Sequence, residues 1–282
     1  MTRHEYALVD VFTDTKFAGN QLAVFGDGRG LDGDTMQAVA KELLIAETTF
    51  VLPKEKDGDH KVRIFTPATE LPFAGHPTLG TTWVLSGGSD GTLRLELGVG
   101  TIGVSVKGGF VEMEQPLPRF GPVVEDVGAI AESLSLTIDD IVASSPVQEV
   151  SSGVPFTFVH LRDLDAVRRI QMQRSPVKTA LYTFTTETVE LTSTIHARLF
   201  AREALGIDED PATGGAQGPL AAYCVAHGIL SQAPEVRMRT EQGFEIGRRS
   251  ILDTRLTMRG SRIAAVHVGG NVVDVGGGWI DL

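Results

Sequence analysis

Ile64-Phe65-Thr66-Pro67-Ala68-Thr69-Glu70-Leu71-Pro72-Phe73-Ala74-Gly75-His76-Pro77-Thr78-Leu79-Gly80 runs from the end of one element into the start of the next. Lys61–Phe65 alternates polar and apolar residues as a strand does. Pro77 suits the first position of a helix, where its missing N–H costs nothing. The apolar run through Trp83 and Val84 continues that helix until Gly87-Gly88 stops it. Gly75-His76 therefore sits at a helix mouth. First-turn N–H groups have no partner within their own helix and share the positive end of its dipole, so they suit a carboxylate. An imidazole placed there can donate a hydrogen bond or relay a proton.

Outward from this stretch, short alternating runs dominate. Tyr6–Phe12, Ala23–Phe25, Thr48–Leu52, Thr92–Leu97, Ile102–Val106 and Phe110–Glu114 read as strands between Gly, Asp or Pro turns. Asp32 or Asp34 caps a helix over Thr35–Leu43, whose Met36, Val39, Ala40 and Leu43 form an apolar stripe. Gln115-Pro116-Leu117-Pro118 and Gly121-Pro122 interrupt the pattern and mark the crossing between domains. Beyond it, Val127–Leu134 and Ile138–Val142 read as helical, the latter behind a Thr137/Asp140 capping box. Phe156–Leu161 and Ala180–Thr185 read as strands, Pro219–His227 as a helix stopped by Gly228, and Val236–Val268 as hairpins. Val272–Val275 is placed to return to the first half. The expected domains are residues 1–117 with 269–282, and residues 118–268. Both halves follow one coarse order of strands, a helix, a glycine-containing loop and a buried helix near a proline.

Composition narrows the partners. Glycine stands at 32 of 282 residues and hydrophobic residues make up 42%, which suits a turn-rich folded protein and excludes a disordered one. A net charge of −11 repels phosphate backbones and anionic lipid, so nucleic acid and membranes are not expected partners. The single cysteine, Cys224, rules out an intrachain disulfide and any mechanism needing two thiols. With no apolar run near about 18 residues, and no signal-like start, a cytoplasmic protein is expected.

Few residues carry possible chemistry. Glu47 lies in Ile45-Ala46-Glu47-Thr48-Thr49-Phe50-Val51 with no cation nearer than Lys41 or Lys54, and alternation puts it on a face with Ile45, Thr49 and Val51. Desolvation disfavours a carboxylate's charged form, which suits proton transfer near neutral pH, although a strand-edge Glu facing water fits the same pattern. Asp208-Glu209-Asp210-Pro211-Ala212-Thr213-Gly214-Gly215 sets three acids beside a glycine pair whose backbone can present N–H groups to an anion. The six histidines other than His76 show no HxH or HxxxH spacing, so a metal is not expected. Gly98-Val99-Gly100-Thr101-Ile102-Gly103 spells a dinucleotide fingerprint, but strands on both sides leave no helix to receive a pyrophosphate. Cys224 lies on an apolar helical run and reads as a core residue.

The order of these motifs is what is specific. Phe17-Ala18-Gly19-Asn20-Gln21-Leu22-Ala23-Val24, Ala46–Val51, Ile64–Gly80, Met113-Glu114-Gln115-Pro116, Ser152-Gly153-Val154-Pro155-Phe156 and Glu209–Gly214, in that succession, resemble the PhzF family of phenazine biosynthesis over nearly the whole chain. The resemblance implies an α+β, diaminopimelate-epimerase-like fold. Such a fold has two similar domains, each a curved, mostly antiparallel sheet around a central helix, with the active site in the cleft between them. It further implies a homodimeric, cofactor-free isomerase that shifts a proton and double bond in a small cyclic or conjugated carboxylate. The family's founding reaction isomerises trans-2,3-dihydro-3-hydroxyanthranilate to a reactive ketone. Carried over by similarity, Glu47 abstracts and returns the proton, with His76 and Asp210 assisting. Asn20 and the amides of Gly75, Gly214 and Gly215 hold the substrate. Gly215 stands where the phenazine enzyme has Ser, Gln21 where Pro is usual, and Ala46 where Ser is usual. The loss of two hydroxyls argues for a substrate other than the phenazine precursor. Two other functions compete: an epimerase or racemase using Glu47 and Asp210 on opposite faces, and a catalytically silent small-anion binding protein.

Overall fold

A computed structural model of the chain describes residues 2–282. The chain divides into two compact units, Met1–Glu114 with Val268–Leu282, and Gln115–His267. In the first lie β1 (Arg3–Val11), β2 (Asn20–Phe25), α1 (Gly33–Leu43), β3 (Glu47–Pro53), β4 (His60–Phe65), β5 (Glu70–Leu71), α2 (Gly75–Ser86), β6 (Gly91–Leu97), β7 (Gly100–Lys107) and β8 (Phe110–Gln115). The second contains β9 (Arg119–Val123), α3 (Val127–Ser133), β10 (Gln148–Ser151), β11 (Pro155–His160), α4 (Leu164–Arg169), β12 (Ala180–Thr185), β13 (Ile195–Ala201), α5 (Arg202–Leu205), β14 (Ile207–Asp210), α6 (Gly214–Ala226), β15 (Glu235–Gln242) and β16 (Ser250–Arg259). β17 (Arg262–Asp281) begins in the second unit and ends in the first, where it pairs antiparallel with β1.

The two units are built to one plan. In the first, β1 pairs antiparallel with β2, β2 parallel with β3, β3 antiparallel with β4, β4 parallel with β6, and β6 antiparallel with β7. In the second, β10, β11, β12, β13, β15 and β16 repeat that succession of antiparallel and parallel steps. The short strands β5 and β14 each pair antiparallel with the strand before them and lead directly into a buried helix. Strand pairing within each unit is therefore mostly antiparallel.

The two faces of β3 are used differently, because successive side chains of a strand point to opposite sides. Thr49 hydrogen-bonds Thr81 of α2 at 2.8 Å. Phe50 points the other way, stacking on Phe25 at 4.8 Å and meeting Phe65 edge-on beneath α1. α2 lies so close to its sheet that a Cβ on Gly80 would come within 2.6 Å of Leu22 and 2.9 Å of Val11. In the second unit α6 packs on β10, β11 and β16, while Ile130, Leu134, Val167 and Ile170 join Val159, Leu181 and Phe200 in a separate core.

Several boundaries differ from the sequence reading. α2 starts at Gly75, so Pro77 is its third residue. α6 starts at Gly214, which places Pro219 inside it. A proline there removes the donor that the Gly215 carbonyl would otherwise receive, and the helix continues because its apolar faces are buried all round. Ile138–Val142 yields only a 3-10 turn over Ile138–Asp140, although Thr137 and Asp140 do form their capping box. Val272–Val275 is the middle of the much longer β17. Asp32, rather than Asp34, caps α1 by accepting from the Thr35 N–H at 2.8 Å.

Candidate active site

Glu47 is the first residue of β3 and lies opposite Leu22 of the parallel neighbour β2. Alternation puts it on the face of Thr49, which is the face that α2 covers. The helix in turn brings in His76 as its second residue. The two side chains are 8% and 4% exposed, and His76 Nε2 stands 3.0 Å from Glu47 Oε2. The same nitrogen is 3.2 Å from the Gln21 carbonyl of β2. A carbonyl can only accept, so Nε2 carries the hydrogen. That hydrogen is directed at Gln21, and Glu47 Oε2 receives no aligned hydrogen bond despite the close approach. A buried carboxylate oxygen is thus left uncommitted beside an imidazole N–H.

Asn20 opens β2, fully buried, two residues before the partner of Glu47. Its position depends on the turn before it. Gly19 has φ +66°, and a Cβ there would meet the Val11 carbonyl at 2.4 Å. The first unit therefore assembles Asn20, Glu47, Gly75 and His76 around the start of α2.

Asp210, Gly214 and Gly215 belong to the second unit. Asp210 ends β14 and is 6% exposed, and Thr213 Oγ1 donates to its Oδ2 at 2.6 Å. Gly214 and Gly215 are the first residues of α6, and Gln115 Nε2 donates to the Gly214 carbonyl at 2.9 Å. The two buried helices share one feature. Asp32, Asp126 and Asp163 cap α1, α3 and α4 with their side chains, whereas α2 and α6 have no side-chain cap. Ala74 has nothing to cap with, and the Thr213 hydroxyl is turned onto Asp210 instead. Nothing in the sequence marks Thr213, Tyr182, Gln217 or Gln242 as functional. Tyr182 and Gln242 reach the Asp210 loop only through the folded sheet, while Gln217 reaches it as a helix residue four positions after Thr213.

The two decoys stay decoys. Gly98-Val99 is the tip of the β6–β7 hairpin, with Leu97 opposite Gly100, and no helix follows it. Cys224 is buried in α6, and burial pushes its thiol well above the ordinary range. Among the described residues no group of three His, Cys, Asp or Glu side chains is placed to hold a metal ion. Among the same residues no helix is long and apolar enough to cross a membrane.

Comparison with known proteins agrees with this architecture. The model of the PhzC/PhzF family, described as phenazine biosynthesis-like protein, matches residues 9–278. The trans-2,3-dihydro-3-hydroxyanthranilate isomerase of Pseudomonas chlororaphis is 35% identical over 99% of this chain and 100% of its own. The crystal structure of a PhzF-family protein from Bacillus anthracis matches with a TM-score of 0.92 at 25% identity, covering 100% of both chains. A hydroxyproline epimerase from Agrobacterium vitis shares the fold alone, with a TM-score of 0.67 at 12% identity over 99% of this chain and 92% of the epimerase. Fold and relatives together define an isomerase of the sheet-rich, epimerase-like α+β class. The chain belongs to the PhzC/PhzF phenazine biosynthesis-like family.

Proposed function

We propose that this isomerase moves a proton between two carbons of a small, conjugated cyclic carboxylate, with trans-2,3-dihydro-3-hydroxyanthranilate as the reference substrate. Glu47 is the base. The observation that carries this reading is the uncommitted Glu47 Oε2, buried and 3.0 Å from His76 Nε2. One C–H bond breaks as Glu47 takes the proton, the electron pair moves through the conjugated system, and a C–H bond forms at another carbon. Substrate and product share one formula, so no electron donor or acceptor is consumed. His76, whose Nε2 already bears a hydrogen, steadies the charge on Glu47 or on a developing substrate oxygen. Asp210 serves as the second proton-transfer group.

Substrate anchoring in this reading falls to the uncapped starts of α2 and α6. The N–H groups of Gly75 and of Gly214-Gly215 donate to the substrate carboxylate, with Asn20 adding a side-chain contact. Gly215 leaves room where a serine hydroxyl would stand, and Ala46 does the same before the base, so the natural substrate has bulk or apolar surface at those positions. A homodimer working in the cytoplasm completes the reading.

Proton NMR of wild-type protein with trans-2,3-dihydro-3-hydroxyanthranilate in D₂O tests it. The expected result is loss of the substrate signals and appearance of a ketone with one C–H relocated. Inversion at a single carbon without relocation would support the epimerase reading. Line-broadening of the substrate without any conversion would support a binding protein.

A further inference from the structure

A network of four buried side chains ends on Asp210, which two of them, Gln242 and Thr213, bond directly. The Gln242 amide, 0% exposed, spends both ends on one loop. Its Oε1 accepts from the Thr213 backbone N–H and from the Tyr182 hydroxyl, each at 3.1 Å. Its Nε2 donates to the Asp210 carbonyl at 2.8 Å and to Thr213 Oγ1 at 3.0 Å. Thr213 Oγ1 then donates its own hydrogen to Asp210 Oδ2 at 2.6 Å. Tyr182 receives Gln217 Nε2 from α6 at 2.8 Å, which ties the set to the buried helix. The amide's orientation follows from these partners, since a flipped amide would set donor against donor at Thr213 and acceptor against acceptor at Asp210.

The backbone supports the same arrangement. Gly243 has φ +78°, and a Cβ there would come within 2.4 Å of the Arg248 carbonyl and 2.6 Å of the Pro211 carbonyl. The turn after Gln242 is thereby docked on the Asp210–Thr213 loop with no space for a side chain. Tyr182, Gln217 and Gln242 are 0% exposed, and the network reaches solvent only at Asp210 and Thr213. A buried amide with every donor and acceptor matched is rigid and costly to disturb.

We propose that Gln242 and Thr213 are positioning residues for Asp210: the amide fixes the loop's backbone and the threonine hydroxyl fixes the rotation of the carboxylate. The inference rests on the reading of Asp210 as the second proton-transfer group. In this proposal their effect runs through the Asp210 carboxylate.

The test is a mutant cycle on trans-2,3-dihydro-3-hydroxyanthranilate, with circular dichroism melts confirming that each variant is folded. Thr213→Val is expected to lower kcat about tenfold or more, with KM changed less, because a hydrogen bond to a charged group is lost. Thr213→Ser, which keeps the hydroxyl, is expected to recover most of kcat. On an Asp210→Asn background, Thr213→Val is expected to add no further loss. Gln242→Met is expected to speed hydrogen exchange of the Thr213 amide, a readout that needs no turnover. Equal Thr213→Val losses on both backgrounds, or Thr213 exchange unchanged in Gln242→Met, would overturn the proposal. Full activity in Asp210→Asn would instead overturn the reading of Asp210 itself. An impaired Asp210→Asn beside an undiminished Thr213→Val would overturn the positioning alone.

Discussion

Glu47 and His76 stand 29 positions apart in the sequence and in contact in the fold. Glu47 was legible because an acid in an apolar, β-branched run without a nearby cation is unusual. His76 was legible because it opens a helix. Their pairing was not, since it depends on a parallel β2–β3 ladder and on α2 lying over one face of β3. The Gln21 contact was hidden for a different reason: it uses a main-chain carbonyl, so the side chain at position 21 says nothing about it. That arrangement leads to a prediction. His76→Asn keeps a donor but shortens its reach, and kcat is expected to fall by about 10²-fold, at the low end of general acid–base contributions. Steady-state kinetics would check it, and an unchanged kcat would remove His76 from the chemistry.

Elements were read better than their ends. The glycine stop after α2 and an aspartate cap on α1, at Asp32 or Asp34, were visible because caps and stops are local chemistry, and the fold selects Asp32. The early start of α6 was not, since burial on β10, β11 and β16 outweighs the helix-breaking tendency of Pro219. Close helix–sheet approach sets the next expectation. Gly80→Ala adds a methyl 2.6 Å from Leu22 in a core with no slack, and should cost about 1–3 kcal/mol by overpacking. A urea titration would show the midpoint falling with the slope unchanged; an unmoved midpoint would mean that α2 can shift off its sheet. Asp32→Ala, at the exposed start of α1, should lower the same urea midpoint by less than Gly80→Ala does, through loss of the cap.

Across the whole molecule, the shared plan of the two units was only faintly visible. Strand order and pairing sense repeat, whereas the residues do not. Thr49 is the third residue of β3 and Tyr182 the third of β12, and each reaches the buried helix of its unit with a different side chain. Sequence comparison of the halves sees the difference; only the pairing sees the likeness. Long-range polar clusters were equally hidden. His196 on β13 is fully buried between Glu241 at 2.7 Å and Glu245 at 2.9 Å. Burial opposes charge on the imidazole, but hydrogen bonds from its ring N–H groups to the two carboxylates outweigh it and hold its pKa above the ordinary 6.5. Burial likewise opposes charge on the two carboxylates, yet hydrogen bonds from His196, joined at Glu241 by the backbone N–H groups of Val189 and Glu190, hold both below 4.5. The imidazolium's contribution is fully present below 6.5 and is lost as pH rises through its raised value. The carboxylates' contribution is present above 4.5 and is lost as pH falls through their lowered values. Stability from this cluster should therefore be greatest between about 4.5 and 6.5. His196→Asn should cost about 3–5 kcal/mol at pH 5.5, by leaving Glu241 buried without its partner, and less at pH 9. Urea unfolding at both pH values would check it, and an equal loss at each would show that the folded imidazole does not change its charge between them.

Every step of the proposed reaction depends on Glu47 as the proton carrier. The most direct measurement is kcat of Glu47→Gln against wild type on trans-2,3-dihydro-3-hydroxyanthranilate, with both proteins shown to melt alike. The account predicts a loss of about 10²–10⁴-fold, because the amide preserves shape and removes the base. An undiminished kcat in a folded Glu47→Gln would contradict it.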